Sequence, residues 1–199
     1  MATSGIRHRI FIAVELESQL RSRIVDLEQD LQRAGARFRW IPAENLHFTV
    51  RFLGEITPAQ LAQVKLATRE VAAAVAPFHL SLHGIGAFPS MQRPQVVWVG
   101  VREGAEELAA LSSRLDAALE RHRFLPEDRP YVAHLTLARV RDRRVWGDLV
   151  RAVSGSREVA VGTQEVHSLT VMESHLNPRG ARYTRVEEVP LGQALKSPE

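Results

Sequence analysis

Two short runs of alternating apolar residues each carry a histidine and, two positions on, a threonine: Leu46-His47-Phe48-Thr49-Val50 and Ala133-His134-Leu135-Thr136-Leu137. Alternation of this kind fits a strand with one face buried, because side chains at i and i+2 share a face while i+1 looks the other way. Each run therefore presents an imidazole beside a hydroxyl, backed by apolar residues. Two such pairs facing each other would line a cleft with two proton-transfer groups and two hydroxyl donors. That arrangement suits attack on a phosphodiester without a metal. A near-match, His79-Leu80-Ser81-Leu82, has serine in place of threonine and reads as a surface or partly packed residue.

The rest of the chain builds the same grammar twice. Residues 9–14 read as a strand, and Leu20, Ile24, Leu27 and Leu31 then recur at helical spacing up to Gly35. Residues 38–41 are extended and end at Pro42. From 46 to 53 the pattern alternates, with Leu46, Phe48, Val50 and Phe52 on one face and His47, Thr49 and Arg51 on the other. Thr57-Pro58 supplies an N-cap and first-turn proline for a helix through Leu61, Val64, Val71 and Val75. Strands follow at 78–82 and 95–101 around a loop at 84–94, then a helix marked by Leu108, Leu111, Leu115 and Leu119. The second motif strand covers 131–140, and Asp142 caps a short helix through Val145, Leu149 and Val153. Residues 165–173 and 182–189 read as a hairpin joined by Asn177-Pro178-Arg179-Gly180. Each motif strand is followed by a polar turn and a helix, which points to two similar α+β lobes.

Composition narrows the chemistry. There is no cysteine in 199 residues, so disulfides, thiol catalysis and Cys-ligated zinc or iron–sulfur sites are excluded. The first apolar run, Ile10 to Val14, is stopped by Glu15 and is too short for a membrane span or signal segment, so a cytoplasmic enzyme is expected. The net charge is only +3, yet nearly all the basic residues are arginine, Lys65 and Lys196 being the exceptions. Arginine's planar fork suits phosphate oxygens, although an arginine-rich composition also follows from GC-rich coding.

The flanks of the motifs carry more information. The runs Arg9-Ile10-Phe11-Ile12-Ala13-Val14-Glu15 and Pro42-Ala43-Glu44-Asn45-Leu46-His47-Phe48-Thr49-Val50-Arg51-Phe52-Leu53-Gly54-Glu55 resemble the two-histidine (2H) phosphoesterase superfamily. More narrowly, they resemble its bacterial RNA 2',3'-cyclic phosphodiesterases, also called 2'-5' RNA ligases. Gly84-Ile85-Gly86-Ala87-Phe88-Pro89, Val96-Val97-Trp98-Val99-Gly100-Val101 and residues 133–139 fit the same family in the same order. Alanine stands at 133 where many members have proline, and Arg51 where lysine is common.

The resemblance implies an α+β, bilobal 2H phosphoesterase fold: two pseudo-symmetric lobes of antiparallel sheet, with outer helices, around a central cleft. It would occupy residues 6–191 as one domain, leaving 192–199 as a flexible tail. The implied activity is metal-independent hydrolysis of RNA 2',3'-cyclic phosphodiester ends to 2'-phosphomonoesters, with reverse 2'-5' ligation and no cofactor. His47 is then the proton donor to the leaving oxygen and His134 the acceptor from water, with Thr49 and Thr136 meeting charge on the nonbridging oxygens. The partner would be RNA with cyclic phosphate ends, tRNA fragments among them, and the protein a monomer away from membranes.

Family members often place an arginine on the phosphate where this chain has Arg139. Strict alternation turns that position away from His134 unless a bulge intervenes. Alternation puts Arg51 on the His47 face, either as a substrate contact or as a solvent-facing edge charge. Tyr131 is a candidate for stacking on a base. Arg141, Arg143 and Arg144 form a basic cluster that reads either as a solvated helix start or as an RNA-backbone contact. Two other functions fit the same residues: an RNA-end-binding protein without turnover, and a 2H phosphoesterase acting on small cyclic nucleotides or 2'-5' oligoadenylates.

Overall fold

Among the described residues the apolar alternation resolves into nine strands in two antiparallel sheets. A computed structural model describes residues 6–142, 144, 146–153, 158–178 and 180–192. The strands are β1 (His8–Glu15), β2 (Arg39–Trp40), β3 (His47–Ile56), β4 (Phe78–Phe88), β5 (Val96–Glu103), β6 (His134–Arg139), β7 (Ala160–Val166), β8 (Ser168–Asn177) and β9 (Gly180–Pro190). One sheet runs β3-β1-β8-β9 and the other β2-β6-β5-β4-β7, so each holds one histidine–threonine strand. The helices are α1 (Ser18–Arg33), α2 (Pro58–Ala73), α3 (Ala105–Glu120) and α4 (Trp146–Ala152).

One face of each sheet feeds a shared apolar core. Ile10, Ile12, Val14, Phe48 and Val50 from the first sheet join Val97, Val99, Leu135 and Leu137 from the second, together with the buried stripes of α1, α2 and α3. The opposite face of the first sheet carries its own small cluster of Phe11, Ala13 and Met172, against which Tyr183 packs. That second face is where the site lies. The start of α2 forms as the sequence dictates: Gln60 N donates to the Thr57 hydroxyl at 3.2 Å and Thr57 N donates to Gln60 Oε1 at 2.9 Å, closing a capping box.

Several boundaries differ from the sequence pattern. β4 runs on to Phe88 through the expected loop: Gly84 is a bulge residue whose N–H donates to the Val159 carbonyl at 2.9 Å, and Gly86 pairs with Trp98 of β5. The expected strand at 165–173 is two strands, β7 in one sheet and β8 in the other, parted at His167. A continuous apolar alternation hid that change of sheet. β6 begins at His134, not 131. On α1 Glu28 takes the buried place expected of Leu27, which is only partly buried. Arg143, Val145, Arg179 and the tail 193–199 lie outside the described residues. Gly192, expected to be loose, donates its N–H to the Ala72 carbonyl at 3.0 Å.

Candidate active site

The local backbone aims both imidazoles in the same way. His47 donates from Nδ1 to the Asn45 carbonyl at 2.7 Å, and His134 donates from Nδ1 to the Val132 carbonyl at 2.7 Å. In each case the acceptor is the residue two positions back. This bond assigns the proton to Nδ1 in the neutral ring and leaves Nε2 free on the threonine side. The Asn45 carbonyl is itself fixed, because the Asn45 side chain donates to the Ala181 carbonyl of β9 at 2.8 Å. His47 Nε2 lies 3.0 Å from the Thr49 hydroxyl, which can donate to it.

Aromatic rings frame both histidines. Phe11 and Tyr183 lie 4.8 and 5.2 Å from the His47 ring, centroid to centroid, Tyr183 edge-on. Phe88 meets the His134 ring edge-on at 5.1 Å and Trp98 lies at 6.4 Å. The Trp98 indole covers Gly86, where a Cβ would fall 2.2 Å from the ring, so glycine is what lets the platform lie flat. None of these four rings was singled out from the sequence. Phe11 and Trp98 sit on alternating apolar strands whose two faces look equally buried, and Tyr183 reaches the site only through the β8–β9 hairpin register.

Burial disfavours the charged imidazole and lowers both histidines from the ordinary value. For His47, the Asn45 hydrogen bond and then the Glu15 carboxylate pull back upward; for His134 the Val132 hydrogen bond does so.

The two motif strands share an irregularity that redistributes their arginines. In the β1–β3 ladder Ala13 pairs with Thr49 and Ile12 with Arg51, so Val50 is an extra residue. In the β5–β6 ladder Trp98 pairs with Thr136 and Val97 with Ala138, so Leu137 is extra. Both bulges fall three residues after the histidine, and each reverses the faces beyond it. Arg139 is thereby returned to the exposed side with His134, and its charge acts on Tyr183, the ring against His47.

The same device overturns the expectation for Arg51. It is 5% exposed and points into the protein, paired with Asp116 of α3 at 2.6 Å and with Glu127 at 2.6 Å, and donating to the Leu125 and Phe52 carbonyls. Phe52, expected inside, is 41% exposed and lies under the Arg9 guanidinium at 4.8 Å. Tyr131 packs against the main core, where burial raises its phenol, and it joins neither ring group. In the basic cluster, Arg144 is held by Asp142 at 2.7 Å, and Arg143 lies outside the described residues.

Among the described residues, no group of three or more His, Asp or Glu side chains gathers where a metal ion would be held. No helix among them is long and apolar enough to cross a membrane.

A family model described as LigT-like phosphoesterase matches this chain twice, over residues 14–98 and 99–183, with one histidine–threonine pair in each match. The chain belongs to the LigT-like phosphoesterase family. It is an enzyme of the phosphodiesterase class within the two-histidine superfamily, and the double match agrees with the repeated grammar of its two halves. An RNA 2',3'-cyclic phosphodiesterase of Methanothermobacter thermautotrophicus is 34% identical over 179 residues, covering 90% of this chain and 96% of that one. Among solved structures, Escherichia coli LigT complexed with 3'-AMP superposes with a TM-score of 0.77 at 26% identity, over 94% of this chain and 100% of that one. TT0787 of Thermus thermophilus gives 0.76 at 28% identity, over 93% and 98%.

Proposed function

We propose that this phosphoesterase opens RNA 2',3'-cyclic phosphate ends to 2'-phosphomonoesters without a metal. One observation supports the reading above the others. Both imidazoles are held through Nδ1 by matched backbone carbonyls, so each offers Nε2 for proton transfer, and His47 Nε2 lies 3.0 Å from the Thr49 hydroxyl. In the forward reaction His134 Nε2 takes a proton from water as the water oxygen bonds to phosphorus. The bond from phosphorus to the 3'-oxygen breaks, and that oxygen takes its proton from His47 Nε2. Thr49, Thr136 and Arg139 donate to the nonbridging oxygens, where charge accumulates. With an RNA 5'-hydroxyl in place of water, His134 takes the hydroxyl proton and His47 again protonates the departing 3'-oxygen, which makes a 2'-5' linkage without ATP. The names of the relatives support RNA as the substrate class.

The test is a short RNA ending in a 2',3'-cyclic phosphate, incubated in EDTA with wild type, His47→Ala and His134→Ala, with 2'- and 3'-phosphate products resolved. Conversion to the 2'-phosphate by wild type, reduced at least about 100-fold in each variant, is the expected result. Binding without turnover would install end recognition instead. Turnover of mononucleotide cyclic phosphates but not RNA would move the substrate to small molecules.

A further inference from the structure

The two histidines are held alike but faced differently. β1 sets Glu15 directly opposite His47, whereas β5 sets Gly100 directly opposite His134. At Gly100 an added Cβ would lie 3.0 Å from the His83 carbonyl oxygen, which leaves little room for any side chain. Glu15 does not swing freely. The Thr170 hydroxyl donates to its Oε2 at 3.0 Å, and Arg185 pairs with the same oxygen at 2.7 Å. Its backbone carbonyl accepts from Gln164 Nε2 at 3.0 Å. A carboxylate is thus pinned beside one imidazole of a pair whose Nδ1 bonds match.

We propose that Glu15 is the positioning residue that divides labour between the histidines, holding His47 as proton donor and leaving His134 as acceptor. This rests on the phosphodiesterase reading above and gives its role assignment a physical cause. The productive enzyme carries one proton between two imidazoles, and only the form with the proton on His47 can protonate the leaving oxygen. A negative charge opposite His47 weights that form; an empty position opposite His134 gives the other form no matching support. The nearby positive groups are Arg185 on β9, bound to Glu15 and also to Glu188 at 2.9 Å, Arg9 and Arg139, which act on Tyr183 beside the ring, and His134 itself when protonated. Glu15 is the carboxylate whose charge acts on His47.

The experiment follows both imidazoles by NMR titration in wild type, Glu15→Gln, Glu15→Asp and Arg185→Met, alongside kcat/KM on the cyclic-phosphate RNA. Glutamine keeps an oxygen for Thr170 and Arg185 but removes the charge. Glu15→Gln is expected to lower the His47 midpoint by about half a pH unit or more, about threefold in its protonation equilibrium. His134 should stay in place. Arg185→Met, which frees the carboxylate, should raise the His47 midpoint, and Glu15→Asp should lie between wild type and glutamine. At the pH optimum kcat/KM for hydrolysis should fall by about threefold or more in Glu15→Gln, since less of the singly protonated enzyme is productive.

An unmoved His47 midpoint, or an equal shift of His134, overturns the proposal. So does a rise in kcat/KM, which would place the donor at His134. Absence of turnover by wild type would instead overturn the phosphodiesterase reading and the donor role with it. The titrations would still decide whether Glu15 governs His47.

Discussion

At the scale of single residues, the proposed chemistry turns on two imidazoles that burial makes harder to charge. The proposed reaction needs one protonated and one neutral, so kcat/KM should rise as one loses its proton and fall as the other does. The maximum lies midway between the two apparent values. Both histidines are displaced below the ordinary value of 6.5, so the optimum of kcat/KM is expected on the acid side of it. A pH–rate profile on the cyclic-phosphate RNA checks this, and a maximum well above 6.5 would refute it. The two histidines and their threonines were legible because an i, i+2 pair in an alternating run has only one arrangement. Glu15 and Tyr183 were not, because their relation to His47 depends on which strands become neighbours and in what register. The acid of β1 stands in plain sight in the sequence, but nothing local says that it ends opposite a histidine.

At the scale of elements, one inserted residue in each motif strand decides which arginine shares the exposed face of its histidine. Alternation read beyond the first four residues assigns Arg51 to the cleft and Arg139 to the core, and the bulges at Val50 and Leu137 reverse both assignments. Periodicity cannot register a single extra residue, since a bulge leaves composition unchanged and only shifts phase. The two arginines should therefore fail differently. Arg139→Ala removes a charge-assisted donor from the phosphate side and is expected to cut kcat/KM by about 10–100-fold while the melting temperature changes little. Arg51→Met leaves Asp116 and Glu127 facing a lost charge where β3 meets α3 and the segment leading to β6. Loss of these partly exposed pairs and of the Arg51 hydrogen bonds costs about 1–3 kcal/mol, seen as a lower urea midpoint, with kcat of the folded fraction close to wild type. If Arg51→Met lost activity without losing stability, Arg51 would belong to the site after all.

At the scale of the whole molecule, stability against pH is set by buried groups that do no chemistry as well as by those that do. The histidines are easier to protonate in the unfolded chain than in the fold. They therefore weaken the protein as pH falls below 6.5 and through their lowered values. Glu28 works in the opposite sense. It occupies the buried stripe of α1 with Leu20, Ile24 and Leu31, its Oε1 has no hydrogen-bond partner, and burial raises it from 4.5 to about 8. Because the folded carboxyl holds its proton more tightly than the unfolded one, folding carries no penalty from Glu28 below pH 4.5. The penalty grows as pH rises from there and levels off above about 8. Glu28→Gln has the shape of the protonated acid without the charge, so it should leave stability unchanged below pH 4.5 and raise it by about 4 kcal/mol near pH 7.5. Urea unfolding of wild type and Glu28→Gln across that window measures the difference directly. A gap that opens with rising pH identifies Glu28 as the group that erodes the fold on the alkaline side. A gap independent of pH would mean that the Glu28 carboxyl ionises as readily inside the fold as in the unfolded chain.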